Sequence, residues 1–437
     1  MDAALGPTSY ARMFPKLPSF ESDEQFLLML GRAGGVCDRG DIDDSPDSLA
    51  DTAAGWPIFG QFVAHDITAD RSTLRSHANT AELHNARSPQ LNLECLYGDG
   101  PTGHPFLYQR DDPAKFLLGL DRANVQRNAE GIAVIGDPRN DSHMLISQLH
   151  LAMLKSHNVF VDEARLAGAA NDRVFDEAAR KLRWHYQWIV LNEFLPTLVG
   201  PMLAEQVLRE GPRWFRPGQG GFIPLEFADA AYRYGHSQIR HRYQLNLQTD
   251  RVPLFPDLLG FRAVPCERTV DWTLFFDRPG VTSAQRAKKI DGKLVRALIG
   301  LPVAVTGECE IEDYHSLAVR DLQRGKVSDC LLVRPLPVTS ESPRSPRSMS
   351  ASLPRVGVAR LLSGTTFFAK LTLVREVVVL VPLAELLSQK YWLDSSMPTR
   401  HHFAGATRNG GLKKHLASYW SPDVVVLPSI ARCRIDP

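Results

Sequence analysis

Up to about residue 326, apolar positions recur at helical spacing between polar loops. Two stretches carry the pattern at length: MLISQLHLAMLKSHNVFVDEARL (144–166) and FDEAARKLRWHYQWIVLNEFL (175–195). Both predict long helices. Pro196 is expected to close the second, because proline removes a backbone donor and clashes with the preceding turn. SPQLNLECLYG (88–98) alternates polar and apolar residues but is too short for a strand pair, so it reads as a structured loop. No internal repeat is visible. From Val327 the style changes. VTSESPRSPRSMSASLPR has the composition of a Ser/Pro/Arg linker, and VREVVVLVPLAELL follows it without caps or amphipathic logic. The pattern therefore predicts a mainly α body over 1–326 and an irregular, poorly ordered tail over 327–437.

Composition bounds the classes. With 437 residues, 44% hydrophobic and 23% charged, the chain can bury a large core as one big domain or as two or three ordinary ones. Disorder, collagen and a small disulfide scaffold are excluded. The six cysteines lack CxxC spacing, which fits reduced thiols better than a disulfide framework. No run of about 18 apolar residues occurs, and MDAALGPTSYARMFPKLPSF lacks the basic-then-apolar order of a signal peptide. The expectation is a soluble protein without a membrane span, cytoplasmic by default. A net charge of +1 gives no electrostatic argument for nucleic acid or a membrane surface. That charge is unevenly placed, however. Residues from Val327 onward hold 14 basic and 7 acidic side chains, and the first 326 hold 36 and 42.

Four clusters could carry chemistry. In WPIFGQFVAHDITADRS (56–72), Gln61 and His65 are four apart and share a helix face, with Asp66 following. In AYRYGHSQIRHRYQ (231–244), His236 follows Gly235, which lets a flat ligand approach, and Arg233 and Tyr234 add a cation and a ring. GDPRND (136–141) places Arg139 just before the helix from Met144. EDYHSLAVRDLQRG (312–325) carries Asp321 and Arg324 on successive turns of an expected helix. Taken singly, each cluster fits a structural histidine or a solvated surface arginine as well as a reactive group.

Their order and spacing together are more specific. MFPKLPSF, GQFVAHDIT, NARSPQLNLECLYGDGP, GDPRND, HLAMLKSHN, YRYGH, KIDGKL and YHSLAVRDLQRG occur in series between about Phe14 and Lys326. In this series the chain resembles the animal-type haem peroxidases of the peroxidase–cyclooxygenase superfamily, especially bacterial members. The resemblance implies a single large helical domain binding haem b between a His65 helix and a His236 helix. It implies that His65 is the distal base that takes a proton from hydrogen peroxide and returns it to the departing oxygen. Gln61 would orient peroxide, and Arg139 would favour the negative charge that develops as the O–O bond breaks. His236 would ligate the haem iron, and Arg233 would face a propionate. Asp321 stands where the family has an asparagine in R-N-L-x-R-G, a motif that Arg324 completes. A carboxylate there would push the imidazole toward imidazolate and lower the iron potential.

The same resemblance implies a calcium site from Asp66, Ser88, the carbonyl of Gln90, Asn92 and Glu94, hard oxygen donors at alternate residues. Asn92 replaces a usual aspartate there. Ala64 and Ser142 stand where members with ester-linked haem have Asp and Glu, so haem is expected to be non-covalent. Family oxygenases acting on fatty acids use a tyrosine three residues before the proximal histidine, a position held here by Arg233. Peroxidase chemistry with small one-electron donors is thereby favoured over a dioxygenase, and an inactive haem-binding pseudo-peroxidase is the other alternative.

The resemblance stops after Lys326. In the frame that begins on the last base of each codon, Ser328–Glu341 can encode GLPPGQAVARYLG, Arg360–Leu371 TPLWYYVLREA, and Ala384–Phe403 RVVVAEVLAGLVDADPTSF. All three resemble family text, in family order. The expectation is that residues from about Val327 are a frameshift product, a point the coding nucleotides decide.

Overall fold

In a computed structural model of the chain, the described residues are 8–13, 22–40, 46–69, 84–211, 222–278 and 284–327. The segment MFPKLPSF lies almost wholly outside them, and the predicted irregular tail lies outside them from residue 328. The architecture is mainly α.

The central helices are α1 (Glu24–Gly31), α2 (Gly55–Ile67), α3 (Met144–Leu166), α4 (Val174–Ile189), α5 (Leu195–Val199), α6 (Pro201–Glu210) and α7 (Leu317–Val327). α3 has the predicted bounds. His143 caps its start by accepting from the Ile146 N–H, and Leu145, Ile146, Leu149, Met153, Leu154, Phe160 and Val161 are buried along it. The amphipathic α4 packs along α3, and α2 packs against α3. Aromatic side chains fill the junction. Phe59 meets Tyr186 at 6.0 Å and Phe194 at 5.5 Å, and Phe62 meets Tyr186 edge-on at 6.1 Å. Each such burial contributes roughly 2–3 kcal/mol, which fixes α2 as a rigid platform.

Pro196 does not close the second helix. α4 passes into a π-turn at Val190–Phe194, and α5 carries the helix on to Val199, where Gly200 at φ 87° ends it. Pro196 sits in the first turn after the π-turn, where a missing N–H costs little.

Small sheets tie the loops down. β1 (Thr8–Ala11) pairs antiparallel with β3 (His84–Asn85) and parallel with β4 (Phe222–Pro224), with Tyr10 opposite Ile223. β2 (Leu49–Ala53) pairs with β7 (Arg286–Lys288), and β5 (Arg242–Tyr243) with β6 (Val252–Pro253).

The 88–98 segment is a loop through Leu93 and then one helical turn, Glu94–Tyr97. Leu91 (φ 51°) and Leu93 (φ 61°) both hold left-handed backbone. Their side chains are fully buried, and that burial offsets the local strain.

Two further contacts set the position of α7. α7 lies on α1, where a Cβ on Gly31 would come within 2.7 Å of the Val319 nitrogen. Ser316 Oγ donates to the Gly31 carbonyl at 2.6 Å. α7 also packs against the π-turn Glu226–Ala230, which runs directly into the 3₁₀ segment Ala231–Gln238. This seating brings Asp321 to His236.

Candidate active site

α2 presents Gln61 and His65 on one face, as their spacing requires. His65 Nδ1 lies 2.7 Å from Asn140 Oδ1, and its Nε2 has no hydrogen-bond partner among the described residues. Burial, reinforced by the Arg139 charge, lowers the His65 pKa to about 4, so the ring is neutral at pH 7.

Arg139 is in the 3₁₀ turn Pro138–Asp141. Its Nη2 donates to the His65 carbonyl at 2.9 Å and to Asp137 Oδ2 at 2.7 Å, while Nε donates to Asp137 Oδ1 at 3.0 Å. Asp137 also accepts from Arg87 Nη2 at 2.7 Å. Burial alone would raise the Asp137 carboxyl, but the hydrogen bonds and charges of the two arginines hold it well below the usual carboxylate range. The guanidinium of Arg139 is thus clamped on one edge and stays 38% exposed. Gly260 closes over this turn so tightly that a Cβ there would lie 1.8 Å from the Asp141 carbonyl oxygen.

His236 is on the 3₁₀ segment rather than on an α-helix. Its Nδ1 is 2.6 Å from Asp321 Oδ2, and its Nε2 has no partner among the described residues. Burial pushes the Asp321 carboxyl up, but the His236, Arg233 and Arg324 contacts outweigh it and leave the acid below its ordinary range. Arg233 Nη1 donates to Asp321 Oδ1 at 3.3 Å and its Nη2 to Asp229 at 3.5 Å. Arg324 Nη1 donates to the same Asp229 oxygen at 3.4 Å. The expected propionate partner Arg233 is therefore engaged by two carboxylates behind His236.

The two histidine layers are joined. α2 packs on the 3₁₀ segment, and Tyr232 Oη donates to the Gly60 carbonyl at 3.0 Å, one residue before Gln61. Among the described residues no atom lies within 4 Å of where a Cβ on Gly235 would be, which leaves space there beside His236. An imidazole Nε2 free to ligate, a carboxylate behind it and space at Gly235 suit the axial ligation of a haem iron.

The loop donors are arranged differently. Asp66 is fully buried and accepts from the Leu93 N–H at 3.2 Å and the Cys95 N–H at 3.4 Å. Glu94 accepts from the Ser88 N–H at 3.0 Å and from Asn92 Nδ2 at 2.9 Å. Burial raises the Asp66 pKa to about 6, and the Glu94 charge adds to that rise. Among the described residues, no group of three or more His, Cys, Asp or Glu could hold a metal ion.

The Animal haem peroxidase family matches residues 75–255, a span that includes Arg139, Arg233 and His236. Over that span, less than half of its length, the chain is similar to this family. The chain is 34% identical over 112 residues to Heme peroxidase 2 of Caenorhabditis elegans, covering 24% of this chain and 16% of the relative. It is 29% identical over 140 residues to the Chorion peroxidase of Drosophila melanogaster, covering 28% of this chain and 17% of the relative. Each match thus spans less than a fifth of the curated relative's length. In fold the chain is similar to Peroxidase A from Dictyostelium discoideum, with a TM-score of 0.51 and 14% identity over 75% of this chain and 72% of that one. Among the described residues no helix is long and apolar enough to cross a membrane.

Three side chains at the site escaped sequence reasoning. Asn140 sits between His65 and His150, and His143 Nε2 lies 2.8 Å from Gln61 Oε1. Because His143 Nδ1 accepts from the Ile146 N–H, the Nε2 hydrogen donates to Gln61 and leaves the Gln61 amide nitrogen available. The available signal was the position of these polar residues immediately after Arg139, at the start of an otherwise apolar helix face.

Proposed function

We propose that this chain is a haem peroxidase that reduces hydrogen peroxide and oxidises small one-electron donors. The observation that supports it most is a pair of imidazoles whose Nε2 atoms have no hydrogen-bond partner among the described residues: His65, whose carbonyl accepts from Arg139, and His236, whose Nδ1 is held by Asp321. Haem held by His236 would supply the redox couple that delivers two electrons to peroxide and recovers them singly from donors.

The protein's part is acid–base and electrostatic. His65 Nε2, neutral at pH 7, takes a proton from the near oxygen of peroxide and returns it to the far oxygen as that oxygen leaves. Arg139 holds a fixed cation beside the departing oxygen, with Asp137 setting its orientation at no cost during the reaction. Gln61, its carbonyl held by His143, offers its amide N–H groups to peroxide. Asp321 accepts from His236 Nδ1 and strengthens the ring as a ligand. A fatty-acid dioxygenase is disfavoured because Arg233, engaged with Asp321 and Asp229, occupies the position of the required tyrosine.

The test is peroxide-dependent oxidation of a phenolic donor by the haem-loaded full chain, compared with His65→Leu. A rate lowered about 10²–10⁴-fold is expected in the variant. Haem binding without turnover would establish the pseudo-peroxidase alternative instead. Calcium is a separate part of the proposal, supported by the seating of Asp66 against the 88–94 loop, where it accepts from the Leu93 and Cys95 N–H groups on either side of Glu94. It would displace the internal hydrogen bonds of the 88–94 loop. A rise in Tm with Ca²⁺ but not Mg²⁺ is expected, and an unchanged Tm would remove calcium from the account.

A further inference from the structure

Asn140 follows Arg139 in the same turn and is completely buried. Its backbone is held by a hydrogen bond to the Asp137 carbonyl at 3.0 Å, and its neighbour Asp141 is fixed by two hydrogen bonds from Arg127 at 2.7 and 2.5 Å. The carboxamide lies between two imidazoles. Oδ1 is 2.7 Å from His65 Nδ1, and Nδ2 is 3.1 Å from His150 Nδ1.

An amide oxygen only accepts and an amide nitrogen only donates. Oδ1 therefore requires a hydrogen on His65 Nδ1, which leaves His65 Nε2 as a bare lone pair. Nδ2 requires a lone pair on His150 Nδ1, which places the His150 hydrogen on its Nε2. That atom is buried and has no hydrogen-bond partner among the described residues. The chain of contacts is thus polarised in one direction, from the interior toward the site. A free neutral imidazole in water favours the opposite tautomer, with the hydrogen on Nε2. That tautomer would place an N–H, not a base, where peroxide must lose its proton.

We propose that Asn140 is a positioning residue that selects the Nδ1–H tautomer of His65 and so keeps Nε2 free as a proton acceptor. The catalytic meaning of the tautomer rests on the peroxidase reading, whereas the tautomer itself does not.

The experiment uses the full chain labelled with ¹⁵N-histidine, before haem is added, and reads long-range ¹H–¹⁵N correlations, with His65 assigned by its loss in His65→Gln. Wild type is expected to show His65 protonated on Nδ1. Asn140→Asp, which keeps an acceptor at that place, is expected to retain the tautomer. Asn140→Leu is expected to move His65 toward Nε2–H and to lower the peroxide rate of the loaded enzyme tenfold or more, with the Asp variant restoring most of it. A wild-type His65 protonated on Nε2 would overturn the proposal, and so would an unchanged tautomer in a folded Asn140→Leu. The wild-type spectrum decides even if the leucine variant does not fold. Lack of peroxide turnover with the Nδ1–H tautomer present would defeat the peroxidase reading and leave the role of Asn140 standing.

Discussion

Replacing Asp321 by asparagine exchanges a charged acceptor behind His236 for a neutral one of nearly the same shape. The contact is short, 2.6 Å from His236 Nδ1, so the exchange acts on the ring nitrogen across from the ligating Nε2. A hydrogen bond to a charged group contributes about 1.5–3 kcal/mol, and a neutral one about 1 kcal/mol. Arg233 shares the same carboxylate at 3.3 Å and neutralises part of its charge, which favours the lower half of that roughly 0.5–2 kcal/mol difference. The change is therefore about 1 kcal/mol. For a one-electron couple, 59 mV corresponds to a tenfold change in equilibrium constant, so this becomes roughly 40 mV. The sign follows from charge: an anionic acceptor makes the imidazole a stronger donor and favours Fe(III) over Fe(II). Asp321→Asn is expected to raise the Fe(III)/Fe(II) potential by about that amount in a spectroelectrochemical titration. Asp229→Asn serves as a control, because Asp229 holds Arg233 and Arg324, and it is expected to shift the potential less. Equal potentials in wild type and Asp321→Asn, or a lower one in the variant, would refute the reasoning.

Other expectations follow from separate parts of the molecule. His157 accepts from Tyr97 Oη at 3.0 Å, donates to the Ala114 carbonyl at 2.8 Å, and has its pKa lowered to about 4 by burial. The unfolded ring takes a proton near pH 6.5 that the folded ring refuses, so stability falls as pH drops from about 6.5 to about 4, by roughly 3 kcal/mol for this residue. Urea unfolding across that range should show the loss, and His157→Gln should flatten it by a similar amount; an unchanged slope would count against a buried neutral ring. Arg139→Gln is expected to lower the rate of reaction with peroxide about 10²–10³-fold, measured by stopped-flow absorbance, and a rate within twofold of wild type would exclude a role for its charge. Haem is expected to pass entirely into acidified organic solvent, since neither Ala64 nor Ser142 can form an ester, and haem remaining with the protein would contradict non-covalent binding.

The long helices were legible because their apolar periodicity is also their buried face, as in the Met144–Leu166 helix. Local geometry was less so. The π-turn at Val190–Phe194 lets the chain run through Pro196, and periodicity alone carries no trace of a single wider turn. His236 lies in a 3₁₀ segment that follows directly on a π-turn, a local change of winding that periodicity does not show either. Motif order singled out His65, Arg139, His236 and Asp321, and the fold places His65 with Arg139 and His236 with Asp321. The residues it missed, Asn140, His143 and His150, are tied to the site by side-chain hydrogen bonds, Asn140 to His65 and His150, and His143 to Gln61. Such bonds depend on how the Pro138–Asp141 turn meets α2, a tertiary contact that no local pattern encodes.

The central claim is that His236 holds haem beneath His65. Its most direct test is an optical titration of the full chain with haem, followed by resonance Raman of the ferrous form, in wild type and His236→Ala. The account predicts saturation at one haem per chain, with an iron–histidine stretch that the alanine variant lacks. An iron–histidine stretch that persists unchanged in His236→Ala, or a chain that takes up no haem, would contradict it.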